Sequence, residues 1–225
     1  MGLFALNDDI FLNNKVDIKD FFRKNLPCDS AILNVHCSQK SNIIHDISNN
    51  DVGIVNEHFN FKKIVKNNLS RFFNIRYGLK YNLQNLALIG CPRFPGFKQF
   101  HICAPLLKST YEELWDKEFD ILDNTCKNKF RTKLDVNQWV MREWQLASNK
   151  YIVTNYCNIG RHIAFNELKK TIDEVVSDFR RVLFGKKYKV ICINDSYLLK
   201  DFERVKKLTL DAFESKYSVK SSFER

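Results

Sequence analysis

Two groups of residues in this 225-residue chain have the types and spacing to do chemistry. The first lies in residues 100–135, which carry His101, Lys108, Arg131 and Asp135. A histidine stands on an irregular segment, a helix opens soon after, and an arginine and an aspartate precede a second helix. Segments of this kind, set between well-formed helices, are where binding and catalytic side chains gather. The second group is a pair of apolar runs that end in acid. Residues 2–6 lead into Asn7-Asp8-Asp9, and residues 188–193 lead into Asn194-Asp195. Adjacent carboxylates at a strand end offer hard oxygen ligands, which suit Mg²⁺ or Mn²⁺ on a diphosphate. An Asn-Asp turn is the plainer reading of each. If the two strands are neighbours, Asp8, Asp9, Asn194 and Asp195 converge at the strand ends, where α/β folds bind ligands.

The elements that must position these groups follow from periodicity and caps. Residues 2–6 and 10–12 read as strands. Asp17 caps a short helix through Phe21 and Phe22, with Asp20 at its N3 position. Residues 29–35 read as a strand, and residues 41–56 as a polar stretch with a turn at Asn49-Asn50-Asp51. His36, His45 and His58 lack the spacing of metal ligands. Phe61, Ile64, Val65, Leu69, Phe72 and Phe73 repeat at helical spacing over residues 61–76. Residues 82–89 fit a strand or a helix, and the Pro and Gly of residues 91–96 mark a loop. Ser109 and Glu112 read as a capping box for a helix with Tyr111, Leu114, Trp115, Phe119 and Leu122 inward. Asp135, with Gln138 at N3, reads as the cap of the next helix. Residues 165–183 form the longest amphipathic run, ended by Gly185. Residues 188–193 are a buried strand, and residues 199–217 the last helix. This pattern predicts an α/β fold: one domain over the whole chain, with a central, mainly parallel sheet and packed helices.

Composition narrows the class. Hydrophobic residues make up 44% and aromatics 13%, which is globular, and the scarcity of Gly and Pro favours helices over a turn-rich β protein. A net charge of +10 attracts polyanions, although a solvated basic face explains it equally well. Seven cysteines with no C-x-x-C suggest scattered thiols in a reducing cytoplasm rather than zinc or disulfides. No apolar run approaches the roughly 18 residues of a membrane span. No P-loop, G-x-G-x-x-G, H-E-x-x-H or G-x-S-x-G motif occurs.

Several blocks together resemble one family. N-D-D-I-F-L-N-N-K-V-D-I-K-D-F-F resembles the second conserved region of the Stealth proteins. H-I-C-A-P-L-L-K-S-T-Y-E-E-L-W through K-F-R-T-K-L-D-V-N-Q-W resembles their third, and V-I-C-I-N-D-S, with a following helix and K-S-S-F-E, their fourth. Stealth proteins are sugar-phosphate transferases, including bacterial capsular polysaccharide phosphotransferases. The resemblance implies transfer of a hexose-1-phosphate, an N-acetylhexosamine-1-phosphate in particular, from a UDP-sugar to a polysaccharide hydroxyl, releasing UMP. It implies Mg²⁺ (or Mn²⁺) as cofactor, capsule-assembly proteins as companions, no nucleic acid, and a cytoplasmic place that extends to the inner membrane face. The family's first region, a strand that helps bind the nucleotide, has no counterpart, so the expectation is an N-terminally truncated catalytic domain.

Residue by residue, His101 matches the histidine of the third region and is the expected general base. Arg131 matches a family arginine that would clamp phosphate oxygens. Its plainer reading is a surface ion pair with Asp135. Lys108 would add positive charge, or merely lie beside a helix start. Asp135 is a substrate-binding candidate whose rival reading is a cap. Asp8, Asp9, Asn194 and Asp195 are the metal candidates. Two other functions stand beside transfer: an inactive truncated fragment, and a basic polyanion-binding module without catalysis.

Overall fold

The computed structural model describes residues 2–6, 9–37, 40, 42–165, 171–194, 199 and 201–219. In chain order they form β1 (Gly2–Ala5), β2 (Ile10–Leu12), α1 (Ile18–Phe21), β3 (Phe22–Arg23), β4 (Leu26–Asp29) and α2 (Ile43–His58). There follow α3 (Phe61–Asn67), α4 (Leu69–Phe72), α5 (Gly78–Leu88), β5 (Ala104–Leu107), α6 (Lys108–Lys117), α7 (Phe119–Lys127) and α8 (Trp139–Ala147). The last are β6 (Ile152–Val153), β7 (Gly160–Ala164), α9 (Ile172–Phe184), β8 (Val190–Asn194) and α10 (Phe202–Lys216). They group into two compact units. The first holds Met1–Ala5, Asp17–Phe100 and Ala104–Tyr156; the second holds Leu6–Val16, His101–Cys103 and Cys157–Arg225.

Helices and strands mix as expected, but the central, mainly parallel sheet is not found among the described residues. The strands form three small sheets instead. In the first unit β1 runs antiparallel to β5, and β4 pairs antiparallel with β3 and parallel with β6. In the second unit β8 lies between β2, antiparallel, and β7, parallel. One cause is local. Lys24 and Asn25 both take positive φ, 51° and 61°, the geometry of a tight hairpin turn, which makes β3 and β4 antiparallel. Another is that the apolar runs on either side of Asn7-Asp8 enter different sheets.

Several elements differ from the periodicity reading. Residues 41–56 are mostly the helix α2, because its inward face is partly polar: Ile47, Ser48, Asp51, Ile54 and Val55 are all buried. Its supposed turn residues serve as ties. Asn50 donates to the carbonyls of Lys133 and Asp135, each at 2.9 Å, and Asp51 accepts from the Asn137 N–H at 3.0 Å. Residues 82–89 lie in α5, whose one buried residue is Asn85. That amide donates to Ala31 O and Phe72 O and accepts from Leu33 N–H. Residues 61–76 break at Asn68 into α3 and α4. The predicted strand 29–35 shifts back to β4. The α6 helix starts at Lys108, so Ser109 is inside it rather than its cap. The α9 helix starts later than read, capped by Thr171 in a reciprocal box with Glu174. The Asp17–Asp20 capping box of α1 and the strand and helix at β8 and α10 are where periodicity placed them.

In the first unit Val55, Phe61, Val65, Phe72, Phe94, Phe97 and Tyr151 share one core, while Leu106, Leu114, Val140 and Trp144 form another. The α8 helix is buried on all sides from Val140 to Ala147, and two of its polar residues, Gln145 and Arg142, are paired there. Gln145 takes the Leu107 N–H and gives to Pro105 O, fixing α8 on β5. Arg142 forms a two-armed ion pair with Asp29, at 2.7 and 2.8 Å. In the second unit Val176, Phe179, Leu183, Ile191, Val205 and Ala212 fill the space between α9, α10 and β8.

Candidate functional site

The second unit brings together side chains from three distant parts of the chain. Antiparallel pairing of β2 with β8 carries Asp9 to the end of β8, where the Ile193 N–H donates to Asp9 O at 2.9 Å. Asn194 then donates from Nδ2 to Asp9 Oδ2 at 2.5 Å. On the parallel neighbour β7, His162 is opposite Cys192, and its Nε2 lies 2.6 Å from Asn194 Oδ1. An amide oxygen only accepts, so the imidazole donates through Nε2–H. The His101 ring lies beside that of His162, with centroids 4.8 Å apart and planes 31° apart. Asp9, Asn194, His162 and His101 are thus linked in a row.

The backbone is shaped to hold this row. His101 has φ +48°, an unusual conformation for a residue with a Cβ, and one that tends to be kept at functional positions. Next to it Ile102 packs on Gly160, where a Cβ would come within 2.6 Å of Ile102 Cγ2 and 3.0 Å of Val190 O. Only glycine lets the two segments approach this closely. Cys192 closes the base of the group, 3.4 Å from Asp9 Oδ2 and 3.3 Å from Asn194 Oδ1. Burial, with the adjacent Asp9 charge, pushes its thiol up to about 12. It therefore stays an S–H donor and is no nucleophile.

Asp9 and Asn194 also line a cleft of about 680 Å³, walled by Phe11, Phe165, Phe202 and Phe213 with Lys206 at its side. A cleft of this size with a few polar groups at one end is typical of ligand sites. As for a metal, Asp9 Oδ1 is buried and has no hydrogen-bond partner among the described residues, as a ligand oxygen awaiting a cation would be. Asn194 directs both ends of its amide to neighbouring side chains. Among the described residues no group of three His, Cys, Asp or Glu side chains is arranged to hold a metal ion. Asp8 and Asp195 lie outside the described residues.

Lys108, Arg131 and Asp135 belong to the first unit. Lys108 is exposed at the start of α6 and pairs with Glu112 at 3.1 Å. Asp135 is not a helix cap, because α8 begins at Trp139 after Gln138. It is buried and gathers its own loop, accepting from Thr132 N–H, Thr132 Oγ1 and Asn128 Nδ2, each at 2.7 Å. Burial alone would raise its carboxyl; those hydrogen bonds outweigh it and hold the group below the usual range. Asp135 is thereby taken up, and the exposed Arg131 is presented on a loop that α2 ties down through Asn50.

His162 and Cys192 were not singled out by sequence reasoning. β7 reads G-R-H-I-A, with one large apolar residue and no alternation, so it gave no strand signal. Its pairing with the clearly apolar β8 was the missing information.

No protein-family model matches the chain. Curated proteins do. It is 41% identical over 97% of its length to a capsular polysaccharide phosphotransferase, WcwK, of Streptococcus pneumoniae. It is 34% identical over 97% to a receptor polysaccharide phosphotransferase, WefC, of Streptococcus gordonii. It is 32% identical over 97% to an exopolysaccharide phosphotransferase, cps2G, of Lactiplantibacillus plantarum. The chain spans 62% of the length of each of these relatives. It is a relative of the capsular and exopolysaccharide phosphotransferases, in keeping with the resemblance drawn from its sequence.

Proposed function

We propose that the chain carries out sugar-1-phosphate transfer in capsule synthesis. The donor is a UDP-N-acetylhexosamine, the acceptor a hydroxyl of a capsular polysaccharide, and the other product UMP. The observation that carries this reading is the row Asp9–Asn194–His162–His101, assembled beside a cleft in a relative of polysaccharide phosphotransferases. The acceptor oxygen attacks the phosphorus that bears the sugar, and the bond from that phosphorus to the UMP oxygen breaks. His101 takes the hydroxyl proton, and His162 holds the His101 ring in place. Arg131, with Lys108, neutralises phosphate oxygens; a planar guanidinium matches two of them at once. Asp135 shapes the loop that presents Arg131.

Mg²⁺ (or Mn²⁺), when bound, neutralises charge on the diphosphate. Asp9 would hold it through Oδ1, with Asp8, Asn194 and Asp195 as the rest of the proposed set. The experiment is UMP release from UDP-N-acetylglucosamine in the presence of Mg²⁺ and capsular oligosaccharide, followed by ³¹P NMR. Replacing His101 by Ala should remove most of the rate. A rate within a fewfold of wild type would overturn the assignment of the base.

A further inference from the structure

The α5 helix carries its apolar residues on the outside. Its core side is built around Asn85, while Leu79, Leu83 and Leu86 are 75, 54 and 60% exposed, and Ile75, on the 3-10 turn before the helix, is 94% exposed. Spacings of four and three residues place the three leucines on one stripe of α5, and Ile75 adds a further exposed aliphatic on the short 3-10 turn, residues 75–77, that leads into it. Single exposed aliphatics are common, but a stripe of three along one helix, with a fourth on the turn before it, is not explained by chance exposure.

The charge around this stripe is one-sided. From His58 to Tyr111 the chain contains nine Lys and Arg residues and no Asp or Glu. Lys62, Lys63, Lys66, Arg76, Lys80 and Arg93 of this segment are exposed. Lys80 stands beside Leu79 on α5 and leans over the Tyr81 ring at 5.7 Å, and Arg76 lies on the turn before the helix. A helix with aliphatics on its outer face and cations at the edges fits an anionic bilayer surface. The side chains enter the acyl boundary while Lys and Arg reach the headgroups.

We infer that α5 and the acid-free segment around it form a docking surface for anionic lipid, on which the protein lies without spanning the bilayer. No helix among the described residues is long and apolar enough to cross a membrane. Two other occupants fit less well. A second copy would bring like charges, Arg76 and Lys80, against each other. A nucleic acid has no use for four exposed aliphatics. The inference rests on the α5 face alone, so it stands or falls independently of the transfer reaction.

The test is flotation of the 225-residue chain with vesicles of phosphatidylglycerol mixed with phosphatidylcholine, and with phosphatidylcholine alone. The chain should float with the anionic vesicles, less with added salt, and far more weakly with neutral ones. Leu83→Ser and Leu79→Ser should each weaken binding about tenfold, and Lys80→Glu about fivefold or more. These positions are exposed, so circular dichroism and thermal midpoints of the variants should match wild type. The inference is overturned by absence from the anionic vesicles, or by binding that the Leu and Lys substitutions leave unchanged. Light scattering that shows a dimer dissolved by Leu83→Ser, with no vesicle binding, would overturn it in favour of a second copy.

Discussion

Asn194 donates to Asp9 at 2.5 Å from one end of its amide and receives His162 at 2.6 Å on the other. A single side chain at the end of β8 therefore fixes both a carboxylate and an imidazole. Because one amide joins Asp9 to His162 in this row, its replacement is informative.

Asn194→Asp puts a second carboxylate against Asp9. Without a cation the two repel, and the variant should lose about 1–3 kcal/mol. If Asp9 holds Mg²⁺, millimolar Mg²⁺ should raise the variant's thermal midpoint more than that of wild type. A midpoint indifferent to Mg²⁺ in both proteins would remove Asp9 from the metal assignment.

The acidic ends of the apolar runs were legible in the sequence, because hydrophobic runs ending in Asn-Asp are local signals; their convergence hung on residues 2–6 and 188–193 being neighbouring strands, which they are not. Asp9 and Asn194 meet by another route: β2 rather than β1 pairs with β8. His162 was not legible, because its strand owes its conformation to β8 and not to its own residues. The same holds for α2 and α5. Their buried faces use Asp51 and Asn85, whose hydrogen-bond partners are far away in sequence, so the apolar period is broken at the positions that matter most. The cap at Asp17 and Asp20 was legible, but the same spacing misled at Ser109, which lies inside α6, and Asp135 failed because its partners lie on the preceding turn of chain rather than the following helix.

Glu143 in α8 should make stability depend on pH. Burial raises its carboxyl to about 8 against an opposing pull from Arg142. Its neighbour His36, 3.8 Å away, is lowered, chiefly by burial. Near neutrality the two are an uncharged acid and an uncharged imidazole rather than an ion pair. The folded state thus binds a proton that the unfolded state has released. Stability from this group is complete below the unfolded carboxyl pKa and is lost as pH rises through the folded value. Urea unfolding at about pH 6.5 and about pH 8.5 should show wild type weakening at the higher pH, and Glu143→Gln should flatten that difference.

Asp29 and Arg142 are fully buried partners. Removing one leaves a charge without compensation, so Asp29→Ala should cost about 3–5 kcal/mol. The double variant Asp29→Leu, Arg142→Met should recover much of that loss, because an apolar pair avoids the desolvation of both ions. Denaturant midpoints of the two variants measure the difference. A double variant no more stable than the single one would mean that the contacts of Arg142 with Lys98 O and Ser30 O dominate instead.

Arg131 separates folding from function. It is exposed, and Asp135, its partner only on the plainer reading as a surface ion pair, is satisfied by Thr132 and Asn128. Arg131→Ala should therefore change unfolding free energy by less than about 0.5 kcal/mol. If the guanidinium clamps phosphate oxygens in the proposed reaction, UMP release should fall by about 10²–10³. Arg131→Lys should restore little of it, because an ammonium keeps the charge but loses the two-armed fork. Paired thermal-melt and ³¹P measurements on both variants decide the matter. Full activity in Arg131→Ala would take the loop between α7 and α8 out of the reaction, while a rate rescued by lysine would reduce the role of Arg131 to charge alone.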